Sequence, residues 1–187
     1  MSGSQWRGID MVGRVELQQV DEEGLQELLA VAVEDAAPEE VMPPVAGPPG
    51  WTLERQGAFR NWHRARRAGL AGPLRESTFA IIHDGKIVGS ARLALRDSHG
   101  VLETGMWLAR SWRGHGIGTA ALRILLHEAA RAGARVVVAD TKAHNSAALA
   151  ALRRNGATLI ASQGTVEVHA ELMPKETPTP SPPTANP

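Results

Sequence analysis

Residues Arg110 to Gly118 read RSWRGHGIG. They join VLETGMWL, an apolar run with strand character, to TAALRILLHEAARAG, whose apolar residues recur at helical spacing. Three glycines, Gly114, Gly116 and Gly118, fall within five residues at this junction. Glycine costs backbone entropy, so a cluster at the mouth of a helix calls for a close backbone approach. A phosphate answers that need, because helix N-terminal N–H groups and the helix dipole seat an anion. Arg113 adds a guanidinium suited to forked contacts with phosphate oxygens. Two familiar phosphate loops do not fit. The dinucleotide fingerprint needs G-x-G-x-x-G near the start of a βαβ unit, whereas three antiparallel strands are predicted before this loop. A nucleotide P-loop ends in G-K-[ST], and Gly118-Thr119 lacks the lysine.

The rest of the chain narrows the function classes. Its 187 residues suit one domain with a real core, and 43% hydrophobic with 21% charged content is that of a globular protein. Twenty basic residues balance twenty acidic ones, which argues against nucleic acid as a partner. The absence of cysteine excludes disulfides, thiolate chemistry and cysteine-based metal sites. The seven histidines show no ligand spacing, and His127-Glu128 has no second histidine to complete a zinc motif, so no metal is expected. No run of about 18 apolar residues occurs, which removes a spanning helix. MSGSQWRGID lacks an apolar signal region, so a cytoplasmic location is expected. Charge is segregated: Asp21 to Gly50 holds eight acids and no Lys or Arg, while Arg55, Arg60, Arg64, Arg66, Arg67 and Arg75 follow. Two helix faces of opposite sign, packed together, account for that pattern.

Residues 1–10 read as a loose lead-in, 11–173 as a single domain and 174–187 as a disordered proline-rich tail. Within the domain, RVELQQV is a short strand and EEGLQELLAVAVED a helix capped by Asp21. APEEVMPPVAGPPG, with five prolines, reads as a rigid loop, and WTLERQGAFRNWHRARRAG as a helix from Thr52 to Gly69. Trp51, Phe59 and Trp62 fit a packing stripe. STFAIIHDGKIVGSARLAL is a hairpin about Asp84-Gly85, and Ser98-His99-Gly100 turns into VLETGMWL. After the glycine loop and its helix come a buried strand (ARVVVADT), a helix from Asn145 to Gly156, and a last hairpin, ATLIAS with TVEVHAEL. The order β-α-α-β-β-β-α-β-α-β-β gives an α/β (α+β) sandwich. Its mixed, mainly antiparallel sheet has about seven strands and about four flanking helices.

Arg113-Gly114-His115-Gly116-Ile117-Gly118 matches [QR]-x-x-G-x-[GA], and Asn145 to Gly156 carries N-x-x-A-x-x-x-L-x-x-x-G. With the order of elements, these motifs resemble the GNAT family of acetyl-CoA-dependent N-acetyltransferases, and the resemblance runs from about Arg14 to Leu172. It implies the three-layer GNAT fold and acetyl-CoA as co-substrate, without a metal. The pantetheine arm would pair with Met106, Trp107 and Leu108, and the diphosphate would lie on Arg113, Gly114, His115, Gly116, Ile117, Gly118 and Thr119. Asn145 would contact the arm, although it serves equally well as a helix N-cap. The thioester oxygen would be polarised near the Leu108 N–H.

The attacking amine must lose a proton, and alkyl amines have pKa near 10. Glu103 is the catalytic candidate, because an apolar strand needs a reason to hold a charge and relatives place their base in this strand. A structural pairing with Arg92 is the competing explanation. Relatives often protonate the leaving thiolate with a tyrosine, but this chain has none. Leu152 stands in that place, Ala148 replaces an alternative serine, and Ser146 is a weak substitute. Asp35, Glu39 and Glu40, with Glu103 deeper in, are expected to line an acidic pocket for a small cationic amine. PEEVMPP, GPLREST and VLETG resemble kasugamycin-type aminoglycoside acetyltransferases, which implies antibiotic resistance. VLETGMWL equally resembles enzymes that acetylate ribosomal-protein N-termini, and a non-catalytic acyl-CoA sensor is a third reading. A homodimer is left open.

Overall fold

In a computed structural model, residues 8–10, 13–96, 100–161 and 166–174 are described. Most of the lead-in, the Ser98-His99 part of a turn and the proline-rich tail beyond residue 174 lie outside them. The central hairpin follows from its turn chemistry. Asp84 (φ 46°) and Gly85 (φ 80°) both take the left-handed conformation that an Asp-Gly turn supplies cheaply. Around them β3 (Glu76–His83) pairs antiparallel with β4 (Lys86–Leu95). β2 (Gly13–Gln19) extends this sheet on one side and β5 (Val101–Leu108) on the other. Gly8–Asp10, expected to be loose, forms β1 by pairing with Gly13–Val15. β6 (Val136–Lys142), β7 (Thr158–Ala161) and β8 (Glu167–Leu172) complete an eight-stranded sheet of order β1-β2-β3-β4-β5-β6-β8-β7.

Five α-helices are found among the described residues, one more than expected. α1 (Glu22–Asp35) is capped by Asp21, whose carboxylate accepts from the Gly24 N–H. The additional helix, α2 (Pro38–Val41), lies in the segment read as a plain loop. Pro38 occupies its first turn, where a missing N–H costs nothing, and Glu40 accepts from the Ala37 N–H at 2.8 Å. α3 (Leu53–Arg64) starts at Thr52 as expected but ends before Gly69, where a short 3-10 turn begins. The acidic and basic segments do meet: Glu22 of α1 pairs with Arg64 and Arg67 at 2.5 Å.

α4 (Ile117–Arg131) and α5 (Ser146–Arg154) cover one face of the sheet, over a core that includes Ile81, Leu93, Leu102, Leu125 and Leu172. α1 to α3 cover the other, where Leu25, Leu28 and Phe59 are buried and Trp51 and Trp107 pack alongside. Trp51 and Phe59 meet edge to face at 5.8 Å, as a packing stripe should. Trp62 departs from that stripe and carries Arg66 over its ring at 3.8 Å.

Two irregularities shape the end of β5. β5 and β6 are parallel, yet only Val101–Glu103 pair with Val136–Val138. Beyond Glu103 the strands part, while β6 stays paired with β8 to Lys142, leaving a wedge open in the sheet. On the other side, the β3–β4 pairing shifts register between Ile81 and Ile82 of β3, which face Gly89 and Ile87 of β4, and β4 comes close to β5 at Gly89. A Cβ on Gly89 would lie 2.2 Å from the Trp107 carbonyl oxygen, so only glycine permits that approach.

Candidate active site

The wedge leads to the glycine loop. Gly116 is the N-cap of α4 and takes φ 81°, and Gly114 takes φ 82°. A glycine cap has no side chain to occupy the first-turn N–H groups, so the end of a 15-residue helix is left to an outside acceptor. A cavity of about 860 Å³ lies there. Its wall includes Met106, Trp107, Leu108, Arg113, Gly114, Gly116, Gly118, Thr119 and Asn145, nine residues expected from the sequence to hold a coenzyme. The two other expected residues do not join that wall. His115 is exposed beside it, and the Ile117 side chain is fully buried in the core, leaving only its backbone at the helix start. Asn145 plays both of its anticipated parts, accepting from the Ala148 N–H at 3.1 Å while facing the cavity.

Lys142, His144 and Arg154 also line this cavity and were missed. Lys142 and Arg154 add positive charge beside the helix N-terminus, which with Arg113 suits a diphosphate-bearing coenzyme. Leu152, in the place of the absent tyrosine, is core at 5% exposure, and Ser146 is exposed but off the cavity wall.

On the α1–α3 side of β5 lies a second cavity of about 420 Å³. α2 and the loop after it supply Glu39, Glu40, Met42 and Pro43, the α3 region Trp62 and Arg66, and the sheet Glu76, Ser90, Arg92 and Gly105–Trp107. Glu40, Met106 and Trp107 stand on the walls of both cavities. A third depression of about 390 Å³ continues outward, sharing Glu39, Met42 and Pro43 and running to Gly47, Gly50 and Arg55. Arg55 donates to the carbonyls of Val45 (3.0 Å) and Gly50 (2.7 Å), which ties that proline-rich loop down.

The carboxylates expected to serve the acceptor have different surroundings. Asp35 accepts from the Ser111 N–H at 2.8 Å, and hydrogen bonding from Ser111 holds its carboxyl below the usual range. Glu40 Oε2 accepts from Arg110 Nη2 at 2.8 Å, and its Oε1 faces Arg113 Nη1 at 3.3 Å. Desolvation pushes the Glu40 carboxyl up, but the Ala37 N–H and the Arg113 and Arg110 charges outweigh it, and the net shift is downward. Asp35 and Glu40 thus bind the chain's own glycine-loop segment and do not form a free acidic lip. Glu39 is exposed on the pocket wall.

Glu103 is 8% exposed and ion-paired with both Arg92 and Arg96, and it lies on neither cavity wall. Its structural explanation, pairing with Arg92, is the one the geometry displays. Glu76, which sequence reasoning passed over, is equally buried on the pocket floor. It stands 2.9 Å from Arg66 Nε, close enough for an ion pair though misaligned for a hydrogen bond, and 3.8 Å from Arg92. A glutamate opening the apolar strand ESTFAIIH was the available signal.

The chain matches the model of the acetyltransferase (GNAT) family over residues 39–157. It belongs to that family. It is therefore an N-acetyltransferase that uses acetyl-CoA. No curated protein sequence matches it. Among solved structures, its fold is similar to Mycobacterium smegmatis RimJ in complex with CoA-disulfide, with TM-score 0.72 and 21% identity over 90% of this chain and 86% of that one. It is also similar to RimL, a ribosomal L7/L12 alpha-N-protein acetyltransferase in complex with coenzyme A, with TM-score 0.66 and 19% identity over 85% and 93%. A third is Salmonella typhimurium yncA with acetyl-CoA, with TM-score 0.61 and 19% identity over 89% and 97%. No described helix is long and apolar enough to cross a membrane.

Proposed function

We propose that this N-acetyltransferase acetylates the N-terminal amine of a polypeptide. The observation that carries this reading is the groove made by the two linked depressions on the α2 side, which share Glu39, Met42 and Pro43. An extended chain fills such a path, with its first residue against Trp62, Gly105 and Trp107 and later residues along Val45 to Gly50. Similarity in fold to RimL, a ribosomal L7/L12 alpha-N-protein acetyltransferase, agrees with it. In this reading the coenzyme arm lies in the wedge along Met106–Leu108. The N–H groups from Gly114 to Gly118, with the side chains of Arg113, Lys142 and Arg154, receive its phosphates. Bound acetyl-CoA supplies an activated acetyl thioester. Glu103 and Glu76 hold Arg92 and Arg66 in place on the pocket wall. A free thiol has pKa about 8.5, so solvent suffices to protonate the leaving sulfur without a tyrosine.

A compact polycation such as a kasugamycin-type aminoglycoside, with resistance as the biological outcome, is the second reading. Exposed Glu39 favours it, but the engagement of Asp35 and Glu40 removes two of its three lip charges. The test follows acetyl-CoA consumption with a free-N-terminus hexapeptide, the same peptide N-blocked, kasugamycin and spermidine. Turnover of the free peptide and not of the blocked one is expected. Turnover of kasugamycin without the peptide would replace this reading by the second.

A further inference from the structure

We propose that Glu40 is the proton acceptor for the attacking amine, held idle by Arg113 until that arginine turns to the phosphates of acetyl-CoA. The inference rests on the reading of the two cavities as acceptor pocket and coenzyme groove. Amine and thioester must meet where those cavities join, and the residues common to both walls are Glu40, Met106 and Trp107. Among the described residues, Glu40 is the only titratable one of that set. Glu103 lies on neither wall and is ion-paired with Arg92 and Arg96.

The two oxygens of Glu40 have separate partners. Oε2 is fixed by the Ala37 N–H and by Arg110, both at 2.8 Å. Oε1 faces Arg113 alone among the hydrogen-bond donors described, at 3.3 and 3.4 Å, with geometry longer than a strong charge-assisted bond. Arg113 also stands on the wall of the coenzyme groove, and its Nε donates to the Leu108 carbonyl at 2.9 Å. A guanidinium offered a phosphate exchanges a loose carboxylate contact for a forked one. Oε1 is then open toward the acceptor while Ala37 and Arg110 keep the carboxylate in position. The other charged residues on the walls that Glu40 shares are Glu39, Arg66, Glu76 and Arg92 in the pocket and Asp140, Lys142 and Arg154 in the groove, with Asp35 bound to Ser111 nearby. The net downward shift of the Glu40 carboxyl, to which Arg113 contributes, is relieved in part when Arg113 leaves.

The chemistry balances. The acceptor arrives as an ammonium and gives one proton to Glu40 Oε1. Its freed nitrogen lone pair forms the N–C bond to the acetyl carbonyl carbon, the C–S bond breaks, and the nitrogen's surplus proton passes to solvent, which protonates the departing sulfur to give the thiol. Glu40 then releases its proton to water.

Two measurements test this. The first needs no acceptor: the side-chain carboxyl ¹³C signal of Glu40, assigned by its loss in Glu40→Gln, is titrated with and without saturating coenzyme A. The midpoint is expected to rise with coenzyme A, and to be raised already in Arg113→Gln without it. A midpoint unmoved in both would overturn the gating by Arg113. The second uses whichever amine of the panel above turns over. Glu40→Gln keeps an oxygen for the Ala37 N–H, so α2 is retained, and kcat is expected to fall about 10²-fold. Coenzyme A should bind about two- to five-fold more tightly, because Arg113 loses its competitor. A wild-type kcat in Glu40→Gln would overturn the proposal. A shifted midpoint combined with turnover of kasugamycin and not the peptide would instead support Glu40 and overturn the peptide reading.

Discussion

Glu103 illustrates how one buried carboxylate can answer to two descriptions until its neighbours are known. Arg92 reaches it from β4, directly beside β5 in the sheet, and Arg96 from just beyond that strand. Removing one member of a buried ion pair leaves the other charge uncompensated. Arg96 is more than half exposed, so water recovers much of the loss. Glu103→Gln should therefore cost about 1–3 kcal/mol of stability, below the full cost of breaking a buried pair. Denaturant unfolding measures that loss, and the coenzyme affinity and the shape of the pH–rate profile should stay as in the wild type. If the variant instead loses about 10²-fold in rate with its pH profile flattened, Glu103 is the base and the assignment to Glu40 fails.

α3 packs on the sheet through a histidine. His63 is 1% exposed, lies between the Phe59 and Trp62 rings at 4.6 and 4.8 Å, and approaches Thr78 Oγ1 of β3 at 3.4 Å. Burial, reinforced by the nearby Arg66 charge, pushes its pKa from 6.5 down to about 4. The folded state thus refuses a proton that the unfolded chain accepts. Stability from this group is fully present above pH 6.5 and is lost as the pH falls toward about 4. The full loss is on the order of 3 kcal/mol. Urea unfolding at pH 7, 6 and 5 should show this decline, and His63→Phe should remove most of its slope. An unchanged slope in the variant would place the titration elsewhere. α2 shows the opposite dependence on local sequence. Its helical turn comes from Pro38 at the start and Glu40 bonding back to Ala37, yet the surrounding prolines concealed it in a segment that reads as all loop.

At the scale of the molecule, the groove proposed for the coenzyme draws on β5, the glycine loop, α4, β6 and α5, so ligand binding there should tighten the fold as a unit. Acetyl-CoA at about 100 times its dissociation constant adds about 2.7 kcal/mol by mass action. A rise in melting temperature with concentration is the expected result. Gly116→Val should abolish it, since a β-branched residue is strained at φ 81° and its side chain would crowd the helix start. A full thermal shift in that variant would remove the helix N-terminus from the binding site.

Much of this architecture was legible in the chain. Asp84-Gly85, the cap at Asp21, Asn145 at the start of α5 and the glycine loop each act on backbone within a few residues, so their effects can be read in order. Nine of the eleven expected coenzyme residues line one cavity for that reason: loop, strand and helix ends carry them together. Charge partners are another matter. Glu40 and Arg110 are 70 positions apart, Asp35 and Ser111 76, and composition alone gives an acidic segment no address. Trp62 looked like core until the fold turned it toward the pocket, and Glu76 carried no expected role of its own although Arg66 and Arg92 lie beside it in the pocket. The sequence by itself determined most of the elements, apart from β1 and α2, together with the glycine loop and the family chemistry, because these follow from short-range backbone geometry. Only the tertiary structure decided which carboxylates are spent on the chain's own arginines and which one stands between the two cavities, because an ion pair depends on distance in space.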